Sequence, residues 1–456
     1  MIRQNQLRSA AVLIIVLIGL VLRLYRLDAQ SFWYDEGNSA RIAERSMPLI
    51  IEGAAGDIHP PLYYVALHFW RAVAGDSEFG LRLLSAACGT LLILFTYLLG
   101  TRLVNPRVGL IAALLTAFSP FEVYYSQEAR MYIMLALLAA ISTWALAELG
   151  GEEEQRRRGA EEKRSRGEEE KRGRGVLFAV GYVLATAAGL YTQYAYPFVM
   201  VAQGVCVVLW LIVNRQRRWR NLLTYAAMNI VAMALFIPWL PIAVRQITSW
   251  GVAPQPYDVV AAIMDSYRWL VAGRTLALDQ VFVPLVLIAL ITVSGLGVWL
   301  LRLRSRNGFT LAPLMLFIMV ALPFTLLFIF NLYREAYLKF LLVCVAPLML
   351  LAAYGISSLF EWLRQLQTRV LAEGAATFAV VLVVMLPSLN NLYHNPSYAR
   401  DDYRGIARML EAGAQQDDAI LFNAPNQWEV FTYYHRTGAP AIPLIYRPVD
   451  DAAARA

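Results

Sequence analysis

A carboxylate pair, Asp35 and Glu36, sits among aromatic residues in the segment Ser-Phe-Trp-Tyr-Asp-Glu-Gly at 31–37. A carboxylate there can take a proton from an attacking hydroxyl or help to hold a divalent metal ion. It can equally stabilise a first helical turn, because 40–44 reads as helical and acids suit a helix N-terminus. A second cluster, Tyr-Tyr-Ser-Gln-Glu-Ala-Arg-Met-Tyr at 124–132, puts Gln127, Glu128, Arg130 and Tyr132 at the mouth of an apolar run. Ionisable groups at membrane depth are costly and are usually kept for function, although a purely interfacial placement also fits. A third cluster at 331–339 holds Arg334 and Lys339 between two apolar runs. His59 precedes Pro60 and Pro61. Standing alone, it reads as an interfacial histidine at a rigid helix start.

These groups need a scaffold, and composition says which kind. Of 456 residues, 59% are hydrophobic and 16% charged, with a mean hydropathy of +0.50. A soluble domain has too little interior to hide that much apolar side chain. The chain breaks into apolar runs of about 20 residues, the length that crosses a bilayer. The spans expected are 10–24, 81–99, 108–123, 133–149, 176–190, 197–213, 222–240, 281–301, 311–330, 338–359 and 370–386. The first reads as an anchor, since more spans follow and no small-residue cleavage site does. Two amphipathic pieces, 61–74 and 259–271, read as helices lying in the interface.

Positive charge belongs in the cytoplasm. With the N-terminus inside and eleven crossings, segments 1–9, 101–107, 150–175, 214–221, 302–310 and 361–369 face in, and all carry Lys or Arg. The clusters Arg215, Arg217, Arg218, Arg220 and Arg302, Arg304, Arg306 decide this count. The carboxylate pair, His59, the 124–132 turn and the 331–339 loop then face out. Arg334 and Lys339 break the charge rule there. A misplaced cation suggests a bound anion, and a lipid phosphate suits that depth. Snorkelling side chains are the other explanation.

The formal charge of +7 is no nucleic-acid signature, because Lys and Arg sit in the short segments between spans. Cys88, Cys206 and Cys344 lie inside apolar runs and read as small buried hydrophobes. The low-complexity run 152–174 has nearly cancelling charges and no apolar stripe, so it reads as a solvated cytoplasmic linker. Two domains are expected: a membrane domain at 1–389 and a small outer C-terminal region at 390–456.

The ordered set of Asp35-Glu36, then His59-Pro60-Pro61-Leu62-Tyr63-Tyr64, then 125–132 resembles the bacterial family 39 glycosyltransferases of GT-C architecture. Their relatives include protein O-mannosyltransferases and the lipid A aminoarabinose transferase. The resemblance runs from Leu22 to about Tyr434. It implies an all-α polytopic membrane fold of about eleven transmembrane helices, with juxtamembrane helices in the first outer loop. It implies an inverting transferase that takes a sugar from a polyprenyl phosphate and passes it to a glycan, lipid or protein at the outer face of the cell membrane. Asp35, with Glu36 beside it, takes the place of the general base or a metal-site acid, and Glu128 that of a second-loop acid. His59, Gln127, Arg130 and Tyr132 fall among donor- and acceptor-binding positions. Arg334 and Lys339 fall where the donor phosphate binds. A divalent metal on Asp35 and Glu128 is compatible with that pattern. Gln193 stands where the family often has a histidine.

Two other classes fit part of the pattern. A transporter or lipid flippase would line a path with Asp35, Glu128 and Arg334, but should carry charges near the midplane on interrupted helices. A receptor or scaffold would need a large folded outer domain, and none is visible.

Overall fold

The computed structural model describes residues 2–159, 166–213, 218–249, 256–305, 311–362, 369–415, 417–424 and 427–443. Arg215, Arg217, Arg306 and parts of segments 150–175, 361–369 and 390–456 lie outside the described residues. Among the described residues ten helices are long and apolar enough to cross a membrane, and the bent pair Pro106–Phe118 and Pro120–Ser126, counted as one span, brings the number to eleven. The protein is an all-α, multi-pass membrane protein, and each of the eleven expected apolar runs falls on one of these spans.

The chain opens with α1 (Ile2–Leu24). Three juxtamembrane helices follow: α2 (Tyr34–Ala43), α3 (Met47–Gly56) and α4 (Leu62–Ala74). The 13 residues of α4 are too few to cross, as its interfacial reading requires. Then come α5 (Glu78–Leu103), α6 (Pro106–Phe118), α7 (Pro120–Ser126), α8 (Tyr132–Gly159), α9 (Arg166–Leu190) and α10 (Tyr196–Val213). Both α8 and α9 run as helix into the charged segment expected to be a linker.

Next, α11 (Arg218–Phe236) continues through a 3₁₀ turn into α12 (Leu240–Ser249). This extends the seventh span to Trp219–Ser249, past the boundary expected at 240. After α13 (Val259–Ala272) come α14 (Leu278–Ser305), α15 (Ala312–Ile329) and α16 (Leu342–Trp362). The last span, α17 (Arg369–Val380) and α18 (Leu386–His394), is joined by a π-turn over Val381–Met385. It ends four residues beyond the expected boundary at 390. The C-terminal region holds α19 (Tyr403–Gly413), α20 (Trp428–Tyr434) and two short parallel strands, β1 (Ile420–Phe422) and β2 (Ala441–Pro443). Three-residue strands carry too little alternation to be read from sequence.

The span containing α16 is the centre of the bundle. Its most apolar window is 100% buried, against 50% or less in the other spans. Helices come close there through small residues, as membrane packing favours: a Cβ on Gly355 would stand 2.4 Å from the Ile291 carbonyl oxygen.

The expected span 108–123 is broken. α6 and α7 meet at 57°, because Pro120 has no N–H to donate and its ring clashes with the preceding turn. Ser119 caps the new helix, its Oγ accepting from the Glu122 N–H at 3.4 Å. The break leaves carbonyls at the end of α6 without helical partners. Arg23 of α1 supplies them, donating to Ala117 O at 3.2 Å and Thr116 O at 3.3 Å. It also donates to Ser126 Oγ at 3.2 Å and stands 3.7 Å from Glu122. Both side chains are fully buried. Arg23→Met is expected to destabilise the fold by about 3–5 kcal/mol, because it takes the cation from the buried Glu122 and the Arg23 donor from the Ala117 carbonyl. Equilibrium unfolding of the detergent-solubilised protein checks this; an unchanged transition would mean that the break needs no cap.

Candidate active site

The juxtamembrane helices, the turn between α7 and α8 and the start of the α16 span converge at one end of the bundle. Asp35 and Glu36 are neighbours at the start of α2, yet their surroundings differ completely. Glu36 points inward and is fully buried. Arg82 of α5 holds it with two bonds, Nε to Oε1 at 2.8 Å and Nη2 to Oε2 at 2.7 Å. Arg400 adds a bond at 2.5 Å, and the Ala129 N–H donates at 2.8 Å. The Trp33 N–H completes a helix-capping contact at 3.4 Å. Burial alone would raise the Glu36 pKa, but Arg400, Arg82 and the Ala129 amide outweigh it and hold the group at about 2. A carboxylate so occupied anchors the loop and has no lone pair to offer a substrate proton. Arg82 completes the anchor by donating to the carbonyls of Leu27, Gln30 and Ser31 at 2.8–3.0 Å.

Asp35 is the opposite case. Its side chain is 19% exposed. Among the described residues no donor reaches its carboxylate within hydrogen-bond distance. Two cations flank Oδ2 instead: Arg130 Nη2 at 3.7 Å and Lys339 Nζ at 3.8 Å. Arg130 is buried and fixed by several groups. It donates to the Asp35 carbonyl at 3.1 Å and Ser39 Oγ at 3.0 Å, with the Tyr132 hydroxyl at 3.4 Å. Lys339 lies 4.4 Å from the centre of the Tyr132 ring, a cation–π contact that helps to hold it beside Asp35.

His59 lies against Arg130, beside Asp57. Burial, and then the Arg130 charge, push its pKa down, so the ring is neutral. His59 Nδ1 is 3.1 Å from Asp57 Oδ2, and the Tyr64 hydroxyl donates to the same oxygen at 2.7 Å. Burial opposes ionisation of Asp57, but His59, Arg130 and Tyr64 together hold it well below the usual carboxylate range. The neutral ring then donates from Nδ1 and presents Nε2 to Arg130 at 3.4 Å.

The remaining expected residues spread over a neighbouring corner. Glu128 is buried, and burial raises its pKa. Its Oε1 accepts from Arg400 at 3.2 Å, while Oε2 is buried without a hydrogen-bond partner. Gln127 ties the turn to the end of α1, donating to Arg23 O at 3.1 Å and Tyr25 O at 2.8 Å. Arg334 precedes the 3₁₀ turn Glu335–Leu341 that leads to Lys339, with its guanidinium 5.9 Å from the Tyr337 ring centre. Gln193 is buried, and among the described residues its Nε2 has no hydrogen-bond partner.

The metal expectation does not fit. Among the described residues no three His, Cys, Asp or Glu side chains are grouped to hold an ion. Asp35 faces Arg130 and Lys339, whereas Glu128 faces Arg400, so each acid meets a fixed cation rather than the other.

Sequence reasoning missed Asp57, Tyr64, Arg82, Arg274 and Arg400. Arg82 had a signal: an arginine inside an apolar run is a functional or structural flag. Arg274, which donates to the Tyr124 hydroxyl at 2.8 Å, and Arg400 lie in irregular segments without any periodicity to place them.

Known proteins share this architecture. Residues 58–156 match the family model described as dolichyl-phosphate-mannose-protein mannosyltransferase. The undecaprenyl phosphate-alpha-4-amino-4-deoxy-L-arabinose arabinosyl transferase of Pseudomonas paraeruginosa is 24% identical over 376 residues, 78% of this chain. The chain spans 59% of that relative's length. Apo ArnT from Cupriavidus metallidurans aligns with a TM-score of 0.62 at 14% identity, over 96% of this chain and 86% of that one. The same protein bound to undecaprenyl phosphate gives 0.58 at 14% identity, over 96% and 87%. The archaeal oligosaccharyltransferase AglB from Archaeoglobus fulgidus, in complex with an inhibitory peptide and a dolichol-phosphate, gives 0.62 at 12% identity, over 96% and 65%.

Proposed function

We propose that this chain, whose fold is that of the GT-C glycosyltransferases, is an inverting glycosyltransferase. It moves a sugar from a polyprenyl-phosphate donor to an acceptor hydroxyl at the outer face of the cell membrane. The observation that carries the reading is the contrast within one carboxylate pair: Glu36 is saturated by arginines, while Asp35 is open and flanked by Arg130 and Lys339. A buried anchor and an accessible acid side by side are what a positioned base needs. The relative acting on an undecaprenyl-phosphate sugar and the fold shared with a structure bound to undecaprenyl phosphate support the same donor class.

The chemistry follows from these groups. The lipid tail stays in the bilayer while the phosphate enters among cations. The acceptor hydroxyl gives its proton to the Asp35 carboxylate, and its oxygen attacks the anomeric carbon opposite the phosphate. The bond from that carbon to the phosphate oxygen breaks, the electron pair leaves with the phosphate, and the anomeric configuration inverts. The leaving group needs little acid help, so the demand falls on the base and on cations placed where the phosphate charge grows. Lys339, with Arg334 and Arg274, suits that task. The acceptor is a glycan, lipid or protein of the cell envelope. The product anomer, read by NMR, tests the stereochemistry: retention would require a covalent intermediate that this arrangement does not provide.

The transporter alternative gains a broken helix at Ser119, but Arg23 closes that break. The outward orientation has its own test. Gly56 is exposed, and a Cβ there would meet nothing within 4 Å. Gly56→Cys is therefore expected to react with an impermeant thiol reagent in intact cells, and Arg107→Cys only after permeabilisation. The reverse pattern would invert the topology.

A further inference from the structure

We infer that Arg400, delivered by the C-terminal region, is a positioning residue of the transfer site: by bridging Glu36 and Glu128 it fixes the charge and place of Glu128 against the loop that carries Asp35. The inference rests on the functional reading above. The guanidinium spans the two acids, at 2.5 Å from Glu36 Oε2 and 3.2 Å from Glu128 Oε1. It also lies 5.4 Å from the centre of the Tyr124 ring. Two carboxylates in one dry pocket repel each other, and a planar fork between them satisfies both.

The two acids depend on Arg400 unequally. Without it, Glu36 keeps both bonds from Arg82. Glu128 would lose the Arg400 bond to Oε1, and among the described residues Oε2 is already without a hydrogen-bond partner. A buried carboxyl in that state takes up a proton and becomes a donor. With Arg400 present, Oε1 accepts from the guanidinium and the carboxyl is held in place.

The backbone places Arg400 as firmly as the side chain. Its N–H donates to Gln30 Oε1 at 2.9 Å, and Ser31 Oγ donates to the Asp401 carbonyl at 2.7 Å. Further along, the Phe32 N–H donates to the Tyr434 hydroxyl at 2.6 Å. Arg404 pairs with Glu78 at 2.9 Å, Arg45 with Glu429 at 2.5 Å, and Arg436 with Glu44 at 2.6 Å. Helix α20 sits so close to α2 that a Cβ on Gly37 would stand 2.2 Å from Val430 Cβ. The small C-terminal region is thus a clamp across the catalytic loop, and Arg400 is the residue it inserts.

The test uses the full chain in vesicles of its native membrane, which supply the acceptor. Release of carrier from radiolabelled undecaprenyl-phosphate sugars is followed for the parent, Arg400→Met, Arg400→Lys, Glu128→Gln and the Arg400→Met/Glu128→Gln double variant. Arg400→Met is expected to lower turnover by about 10²-fold, with partial recovery in added guanidinium ion and in Arg400→Lys. In the Glu128→Gln background the same change should cost little more. Parental turnover in Arg400→Met would overturn the inference. So would a loss that neither guanidinium nor lysine relieves and that adds in full to Glu128→Gln. An active parent with either result removes this inference alone; a parent inactive on every sugar removes the functional reading and the inference together.

Discussion

Asp35→Asn is expected to lower transfer by about 10²–10⁴-fold, the usual loss for a removed general base, while the protein stays folded and inserted. Asparagine keeps the shape of the side chain and cannot accept a proton at neutral pH. If Asp35 served only the first turn of α2, asparagine would be nearly as good there and activity would survive. The neighbour supplies the contrast. Glu36→Gln leaves Arg82 and Arg400 facing a neutral amide in a dry pocket, so its damage should appear first as lost stability. Turnover and unfolding measured together on both variants separate a base from an anchor. Near-parental turnover in Asp35→Asn would take Asp35 out of the mechanism and move the role to Glu128.

Lys339→Met is expected to weaken donor binding by about 2–5 kcal/mol, because it leaves a phosphate charge poorly paired. Arg334→Ala should act in the same direction. Lys339 is the stronger case because the Tyr132 ring and the Asp35 carboxylate hold its ammonium in place. Methionine keeps the length and the apolar stem. The readout is the affinity of the purified variant for undecaprenyl phosphate, beside the Michaelis constant for the acceptor. An unchanged donor affinity in both variants would place the phosphate elsewhere, with Arg274, which donates to the Tyr124 hydroxyl, the next cation to substitute.

The membrane fold was legible in the sequence because the bilayer imposes a length on every apolar run and a sign on every short loop. The bend at Ser119 was not, since a single proline in an apolar stretch kinks some helices and is absorbed by others. The decision lay with Arg23, ninety-odd residues away in sequence and able to cap the broken end. The site was legible in the same partial way. Asp35, His59, Arg130, Tyr132 and Lys339 come together in one cluster, and all stand in short polar segments beside aromatics. The difference between Asp35 and Glu36 could not be read, because it depends on which side of α2 meets α5. Arg400 was invisible for a related reason: its partners are Glu36 and Glu128, and nothing local in the C-terminal segment marks that contact.

The central claim is that this chain draws its sugar from a lipid phosphate. The most direct measurement incubates the protein, in vesicles of its native membrane, with a panel of radiolabelled undecaprenyl-phosphate pentoses and hexoses. Free undecaprenyl phosphate and labelled acceptor are followed together, with Asp35→Asn as the paired control. At least one donor should release carrier and label acceptor in equal amounts, and the Asp35→Asn protein should do neither. Failure of every lipid-phosphate donor with a folded, inserted protein, or equal transfer by the Asp35→Asn protein, would contradict the account.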